Sequence, residues 1–298
     1  MRIVFGTDGV REKYPLLNEL NSFILTYSFL KNLSKNLTQD LTNIYTDIYI
    51  GYDSRFSSLS IALSVASAIV SFFNKYNINK KVILSKSFTS TPLMAFISNY
   101  KRSYSIQITA SHNPFFYNGI KIFDKSGKKI DPYLEKQIED ELNNLISFPI
   151  IQASDFLNFL NFGYQDFKDE DNNYHNNLKL INNNIEKFEF KDFSKFYVNK
   201  ILKFFKDFYN KLQTLGLFKG LFKNVLVILD LGNSAISYLA PNVFNSFFKL
   251  INNSFNKVNF DLKVFNFKPN GFNINYKCGS INYEVLKEKI LEIISKES

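Results

Sequence analysis

The chain has 298 residues, 45% of them hydrophobic and 21% charged, which suits about two globular domains. Its net charge is +9, but the lysines are scattered, which argues against nucleic acid as a partner because such a site needs clustered basic side chains. The most apolar run, residues 61–73, is too short and too rich in serine to span a membrane, and a single cysteine, Cys278, is typical of a cytoplasmic protein; we therefore expect no membrane association and a cytoplasmic location.

The first 150 residues alternate between predicted helices and predicted strands. The spacing of apolar side chains predicts helices over 16–33 and 59–73, the second capped by Ser57, and further helices that begin near 91 and 132. Apolar runs predict strands over 45–51, 81–84, 103–108 and 119–123. This alternation predicts an α/β fold with a mostly parallel or mixed sheet flanked by helices.

Polar residues follow several of the predicted strands. In sheets of this kind, loops at the carboxyl ends of strands are where ligands bind. Ser111 is the main candidate, because His112 and Lys121 lie within ten residues of it and a serine hydroxyl becomes a good nucleophile only beside a base or charged groups. A polar turn between two strands is the alternative for the Ser-His pair taken alone. The N-terminal segment 5–11, with two glycines and an Asp-Gly turn, is predicted to be a tight loop.

Two strings in this half resemble those of a known family. Thr109-Ala110-Ser111-His112-Asn113-Pro114, followed by Asn118-Gly119-x-Lys121, resembles the active-site serine loop of the alpha-D-phosphohexomutases. Phe5-Gly6-Thr7-Asp8-Gly9-Val10-Arg11 resembles the N-terminal signature of that family, most closely its phosphoglucosamine mutase branch. Glu12 departs from the glycine that usually follows the arginine, and a carboxylate there would repel a phosphoserine.

The resemblance implies a phosphoserine enzyme that acts on a sugar phosphate. Ser111 would carry the phosphoryl group, His112 and Arg11 would stabilise phosphate charge, and Lys121 would be the general acid/base. The residues that would bind substrate or phosphate are Thr7, Asp53, Arg55, Asn113 and Asn118. A magnesium ion would bind to Ser111 through its phosphate.

The second half is predicted to contain a second α/β domain. Residues 151–190 are predicted to be an Asn-rich insertion or linker, in which His175 lies at the surface, and residues 191–281 form the domain. Its predicted elements are a helix over 193–215, strands over 225–230 and 262–267, and a helix that includes 239–247. Residues 269–280 resemble the segment that follows this strand in phosphoglucosamine mutases, which favours glucosamine phosphate as the substrate.

Residues 282–298 are predicted to be a helix at the start of a third family domain that is absent from this sequence. The Asp-Gly-Asp-Gly-Asp-Arg string that binds magnesium in the family does not occur in the chain, so the resemblance covers the first two of four family domains. Three hypotheses stand: an enzyme of phosphoglucosamine mutase type that interconverts glucosamine 6-phosphate and 1-phosphate, a phosphomannomutase or phosphoglucomutase, and a non-catalytic fragment or half of a split enzyme that needs a separate C-terminal chain. On the last hypothesis the chain alone would be inactive.

Overall fold

The computed structural model describes residues 4–7, 9–35, 46–143, 188–215, 224–254 and 259–297. The chain divides into two compact units. Unit 1 takes its described residues from Met1–Asp53, Ser57–Ala110 and Phe116–Asp192. Unit 2 takes them from Ser54–Phe56, Ser111–Phe115 and Phe193–Ser298, so two short loops from the first half of the chain belong to the second unit.

A seven-stranded mixed sheet forms the centre of unit 1. Its strands are β1 (Phe5–Gly6), β2 (Gly9–Lys13), β3 (Ile48–Tyr52), β4 (Val82–Ser85), β5 (Ser105–Ile108), β6 (Tyr117–Phe123) and β7 (Phe188–Lys191). They lie in the order β1-β2-β6-β5-β3-β4-β7. Strands β5, β3, β4 and β7 run parallel, whereas β6 pairs antiparallel with both β5 and β2. This arrangement confirms the mixed α/β sheet that the sequence predicts.

Helices cover both faces of this sheet: α1 (Glu19–Lys35), α2 (Ser58–Lys75), α3 (Thr91–Lys101) and α4 (Pro132–Asn143). Side chains alternate across a strand, so Ile50 and Ile106 join the core with α1, α2 and α4. Their neighbours Gly51 and Ser105 face α3, where Ser105 Oγ donates to the carbonyl of Met94 at 2.9 Å. Helix α3 begins at Thr91, in keeping with the predicted start near residue 91, and Ser90 caps it, because its side chain accepts from the Leu93 N–H at 3.4 Å.

Helix α2 lies in the core of unit 1. By length and composition it could cross a membrane, and it is longer than the apolar run that the sequence analysis considered, but 67% of it is buried inside the fold. Its serines are accommodated by hydrogen bonds within the protein: Ser64 Oγ, for example, donates to the carbonyl of Glu19 in α1 at 2.5 Å. The apolar surface of α2 is therefore used for packing against α1 and the sheet.

Unit 2 contains two parallel strands with helices packed on them. The strands are β8 (Asn224–Asp230) and β9 (Asn259–Phe265), paired in register from Asn224↔Asn259 to Asp230↔Phe265. The α-helices are α5 (Ser194–Thr214), α6 (Ala240–Ser254) and α7 (Tyr283–Glu297), and short 3₁₀ helices occupy Ala235–Tyr238 and Ser280–Asn282. Phe248 of α6 stacks on Phe260 of β9 with ring centroids 5.2 Å apart, and Phe247 of the same helix meets Phe205 of α5 at 4.6 Å.

Several local predictions differ from the structure. Residues 9–13, assigned mostly to a loop, form β2, because they pair with β6. Residues 188–191, assigned to the linker, form β7 on the edge of the unit 1 sheet, so this unit extends to Asp192. Ser57 makes no side-chain capping bond to α2. The expected linker over 151–187, including His175, lies outside the described residues.

Candidate functional site

Ser111 adopts a left-handed backbone conformation with φ of 55°. This region is sparsely populated by residues other than glycine, so the loop must be held in place by its surroundings. The guanidinium of Arg55 does this: Nη2 donates to the carbonyls of Ser111 at 2.9 Å and Asn113 at 3.0 Å, and Nη1 donates to the carbonyl of Pro114 at 2.5 Å. Arg55 is 3% exposed. The sequence-predicted phosphate ligand Arg55 therefore lies with Ser111 and holds the backbone of its loop.

A second side chain holds the same loop from the C-terminal half of unit 2. Asn275 Nδ2 donates to the carbonyl of Ser111 at 3.0 Å and to that of Asn113 at 3.2 Å. Beside it, Ser54 Oγ donates to the carbonyl of Asn233 at 2.9 Å. The sequence analysis included Asn275 in the 269–280 segment but assigned it no contact with Ser111.

Three phenylalanines extend this contact. The rings of Phe56 and Phe272 stack with centroids 5.2 Å apart, and Phe115 packs edge-on against both, at 6.1 Å from Phe56 and 5.6 Å from Phe272. The Phe56 N–H also donates to the carbonyl of Gly271 at 3.0 Å. Gly271 has φ of 91°, and a Cβ there would lie 3.3 Å from Phe56, so a glycine suits both the conformation and the close approach.

In unit 1, Asp53 joins the end of β5 to the start of α2. Its Oδ1 accepts from Ser58 Oγ at 2.6 Å and its Oδ2 accepts from Thr109 Oγ1 at 2.7 Å. The Asp53 N–H also donates to the carbonyl of Ile108 at 3.0 Å. With 4% exposure, the carboxylate is a buried anion whose charge is stabilised by hydroxyl donors. The structure thus gives Asp53 a bracing position next to the serine-bearing segment.

Asn118 is fully buried at 0% exposure. Its Nδ2 donates to Ser57 Oγ at 2.9 Å and Ser58 Oγ at 3.0 Å, while its Oδ1 accepts from the Gly119 N–H at 2.8 Å. These internal bonds engage both the nitrogen and the oxygen of the side-chain amide, and the phosphate-binding role of Asn118 stays a prediction. Asn118 fixes the start of β6 to the start of α2.

Lys121 and Arg11 project from the same face of the sheet. Arg11 on β2 pairs with Gly119 on β6, and Lys121 lies two residues further along β6, which makes the two cationic side chains diagonal neighbours. A Cβ on Gly119 would meet the Arg11 side chain at 3.0 Å, so the glycine leaves room for the arginine. Lys121 is 7% exposed and pairs across the sheet with Gln107. Unit 1 therefore brings the predicted general acid/base and one predicted phosphate ligand together.

Thr7 lies in an exposed loop that Lys129 fastens. Lys129 Nζ donates to the carbonyls of Gly6 at 2.8 Å and Thr7 at 3.0 Å, and it forms an ion pair with Glu135 at 2.9 Å. Burial raises the pKa of Glu135, and the neighbouring ammonium only partly offsets this effect. The sequence analysis did not identify Lys129. Its contacts with Gly6 and Thr7 join segments more than 120 residues apart, and no local pattern indicates them.

His112 is exposed, and Asn113 is half-buried with its backbone carbonyl used by Arg55 and Asn275. In the same unit, Cys278 is 1% exposed, and burial raises the pKa of its thiol. Within the part of the chain that the structure describes, no group of three or more His, Cys, Asp or Glu side chains could hold a metal ion. The expected magnesium site thus has no carboxylate set among these residues.

The sequence of unit 1 matches a known family domain. The profile of phosphoglucomutase/phosphomannomutase, alpha/beta/alpha domain I, matches residues 2–147. Residues 2–147 thus match a domain of the alpha-D-phosphohexomutase family. A phosphoglucosamine mutase from Prochlorococcus marinus (strain MIT 9215) is 27% identical over 223 residues, covering 72% of this chain and 37% of the relative. A phosphoglucosamine mutase from Caldanaerobacter subterraneus is 41% identical over 69 residues, covering 23% of this chain and 15% of the relative.

Solved structures show the same fold. A phosphoglucomutase/phosphomannomutase family protein from Burkholderia thailandensis superposes with a TM-score of 0.54 at 14% identity, over 91% of this chain and 45% of that protein. The open form of the Paramecium phosphoglucomutase parafusin gives 0.52 at 17% identity, over 90% of this chain and 44% of that protein. The chain spans less than half the length of each of these relatives.

Proposed function

We propose that this chain carries the phosphoryl-accepting serine of a phosphoglucosamine mutase-type reaction, with Ser111 as the residue that gives and takes the phosphoryl group. The observation that carries the proposal is the conformation of the serine loop, residues 111–115. Ser111 is held in a left-handed conformation by Arg55 and Asn275 within a family member whose matching string surrounds it. A strained, over-determined backbone is characteristic of functional loops.

The proposed step is a reversible phosphoryl transfer. The bond between Ser111 Oγ and phosphorus breaks while a bond forms between phosphorus and the O1 or O6 hydroxyl of the sugar phosphate. The proton of that hydroxyl passes through a general acid/base to Ser111 Oγ, which leaves as a hydroxyl. The resulting sugar bisphosphate then returns its other phosphoryl group to Ser111 Oγ, with the proton moving in the opposite direction. Lys121 is the proposed base, and Arg11, His112 and Thr7 are proposed to contact phosphate.

Arg55, Asp53 and Asn118 receive a different role from the one the sequence suggested. Their polar atoms are engaged with backbone carbonyls or with buried hydroxyls. We therefore propose them as positioning residues, which fix the loop that carries Ser111. Positional precision matters here because phosphoryl transfer depends mainly on placement and charge stabilisation.

Glucosamine phosphate is the proposed substrate. It is supported by the phosphoglucosamine mutases among the relatives and by the resemblance of residues 269–280. Glucose phosphate and mannose phosphate are the competing substrates, because the domain that residues 2–147 match is that of phosphoglucomutases and phosphomannomutases. When bound, magnesium would neutralise phosphate charge, but within the described residues no cluster of three or more His, Cys, Asp or Glu side chains could supply its ligands.

Intact-mass measurement tests the proposal directly. The purified chain would be incubated with glucosamine 1,6-bisphosphate, with and without magnesium, and the site of any added phosphoryl group located by peptide mass spectrometry. We expect one phosphoryl group on Ser111 and none in Ser111→Ala. Ser234→Ala is the matched control, because Ser234 Oγ already donates to the carbonyl of Leu231 at 2.7 Å. Labelling at another residue, or an unlabelled Ser111 under all conditions, would refute the proposed function.

Substrate choice is tested in the same assay. Glucose 1,6-bisphosphate and mannose 1,6-bisphosphate would replace the glucosamine compound at equal concentration. A faster labelling of Ser111 by the glucosamine donor is expected. Equal or faster labelling by either of the other two would transfer the assignment to the phosphoglucomutase or phosphomannomutase branch.

A further inference from the structure

Asn275 connects the loop of residues 268–282 to the serine loop. Its Nδ2 lies 3.0 Å from the carbonyl oxygen of Ser111 and 3.2 Å from that of Asn113. A side-chain amide has two N–H donors, so these two contacts use both of them. The two accepting carbonyls lie on either side of His112.

Asn275 is itself fixed by its surroundings. It adopts φ of 57°, its N–H donates to the carbonyl of Gly232 at 2.9 Å, and its own carbonyl accepts from Asn282 Nδ2 at 3.1 Å. A Cβ added at Gly232 or at Gly279 would lie only 3.1 Å or 3.0 Å from Asn275 Oδ1. The two glycines therefore make room for this side chain.

Arg55 and Asn275 act on the same two carbonyls. Arg55 Nη2 donates to the oxygens of Ser111 at 2.9 Å and Asn113 at 3.0 Å, so each oxygen accepts one bond from each side chain. A carbonyl oxygen has two lone pairs, and four donated bonds fix the orientation of two peptide planes. The orientation of the plane that follows Ser111 sets its ψ angle, and with it the direction of the Cα–Cβ bond that carries the hydroxyl.

We propose that Asn275 is a positioning residue for Ser111. With Arg55, it holds the backbone of residues 111–113 so that Ser111 keeps its left-handed conformation and presents its hydroxyl for phosphoryl transfer. The role of Ser111 in phosphoryl transfer rests on the proposed function. The clamp, which is the set of four hydrogen bonds from Arg55 and Asn275 to the carbonyls of Ser111 and Asn113, rests on the contacts alone. The 268–282 loop thereby acts on the reacting serine through a single amide.

Asn275→Asp is the decisive variant. It keeps the shape and the tolerance for φ above zero, but it replaces the two-donor nitrogen by a carboxylate oxygen that faces two carbonyl oxygens. Asn275→Gly removes the amide without backbone strain and serves if the first variant folds poorly. Asn273→Asp is the matched control: Asn273 lies in the same loop, with Nδ2 donating to the Lys268 carbonyl at 3.0 Å and Oδ1 accepting from the Asn270 N–H at 2.9 Å.

Two measurements are made on each protein. The first is the rate at which glucosamine 1,6-bisphosphate labels Ser111. The second is the rate of chymotryptic cleavage after Phe115 and Phe116, which lie two and three residues after Asn113. This rate reports the clamp, because proteolysis requires local opening of a loop. The loss of two hydrogen bonds predicts labelling at least about tenfold slower and cleavage at least about tenfold faster in Asn275→Asp and Asn275→Gly. Asn273→Asp should change both rates by less than about twofold, in keeping with a surface substitution.

The outcomes separate the clamp from the chemistry. If the wild-type chain is not labelled but Asn275→Asp selectively speeds cleavage after Phe115 and Phe116, the clamp is supported and the proposed function fails. Unchanged cleavage in both Asn275 variants would overturn the clamp. Equal acceleration in Asn273→Asp would also overturn it, because the effect would then belong to the stability of the whole loop. Selective cleavage without slower labelling would overturn the positioning role.

Discussion

Replacing Thr109 by valine tests whether a single hydroxyl holds the start of the serine-bearing segment. Valine keeps the branched shape and the volume but removes the donor that lies 2.7 Å from Asp53 Oδ2. Thr109 is 6% exposed and Asp53 is 4% exposed, so water has little access to replace the bond. A hydrogen bond to a charged acceptor in such a position contributes about 1.5–3 kcal/mol.

The effect would be measured by hydrogen exchange. Because the chain forms two units, a single unfolding transition is not well defined, whereas exchange reports each segment separately. A loss of about 2 kcal/mol corresponds to exchange about thirtyfold faster in peptides that contain β3 and β5. Peptides of β8 and β9 should be unaffected.

Thr26→Val is the matched control. Thr26 is also buried, at 0% exposure, but its Oγ1 donates at 2.8 Å to the carbonyl of Ser22, a neutral acceptor within α1. Its loss should cost about 1 kcal/mol or less, because its acceptor carries no charge. If Thr109→Val speeds exchange no more than Thr26→Val does, the argument that the buried carboxylate depends on this hydroxyl is wrong.

Two further predictions concern unit 1. Gly51→Ala should strongly destabilise it, because the new Cβ would clash with Thr89 Oγ1, whereas Gly6→Ala, whose Cβ would meet only a carbonyl at 3.5 Å, should be tolerated. Equal hydrogen-exchange rates of the β3 and β5 peptides in the two variants would contradict this. Burial by itself would raise the pKa of Glu141. Hydrogen bonds to the carboxylate, led by that of Lys31, outweigh this effect, so the pKa is lowered. Its stabilising effect is then present above the usual pKa of a glutamate, about 4.3, and is lost as the pH falls through the lower folded value. The difference in hydrogen-exchange protection of the α1 and α4 peptides between wild type and Glu141→Gln should therefore shrink in acid, and a difference that stays constant with pH would count against it.

The sequence predicted the elements whose signals are local. The apolar run at 225–230 became β8, and the Ser90-Thr91-Pro92 string became a capped helix start, because both depend on residues next to one another. Ser57 shows the limit. Its position was correct for an N-cap, but its hydroxyl contacts Asn118, which lies 61 residues away in sequence.

The arrangement of the candidate site depends on contacts between distant segments. The resemblance of the 109–114 string located Ser111, and the structure places Arg55 beside it. The hydrogen bond from Asn275 to the carbonyl of Ser111 joins residues that are 164 positions apart. Neither the 109–114 string nor the 269–280 segment contains a pattern that predicts it. The same is true of Asn118: an Asn-Gly pair indicates a turn, but only the packing of β6 against α2 shows that its amide is buried.

Strand β7 has a consequence for the order in which unit 1 can form during synthesis. It pairs in parallel with β4, from Val82↔Phe188 to Ser85↔Lys191, so about a hundred residues must be made after β4 before its second partner exists. Until then one edge of β4 offers unpaired backbone donors and acceptors, which are a template for intermolecular pairing. A chain ended at residue 150 would keep that edge open permanently. One ended at Asp192 would cover it with β7, which becomes the new edge and carries the charged side chains of Glu189 and Lys191, of the kind that oppose such pairing. Unit 1 expressed to Asp192 should thus remain monomeric at concentrations where the shorter form aggregates.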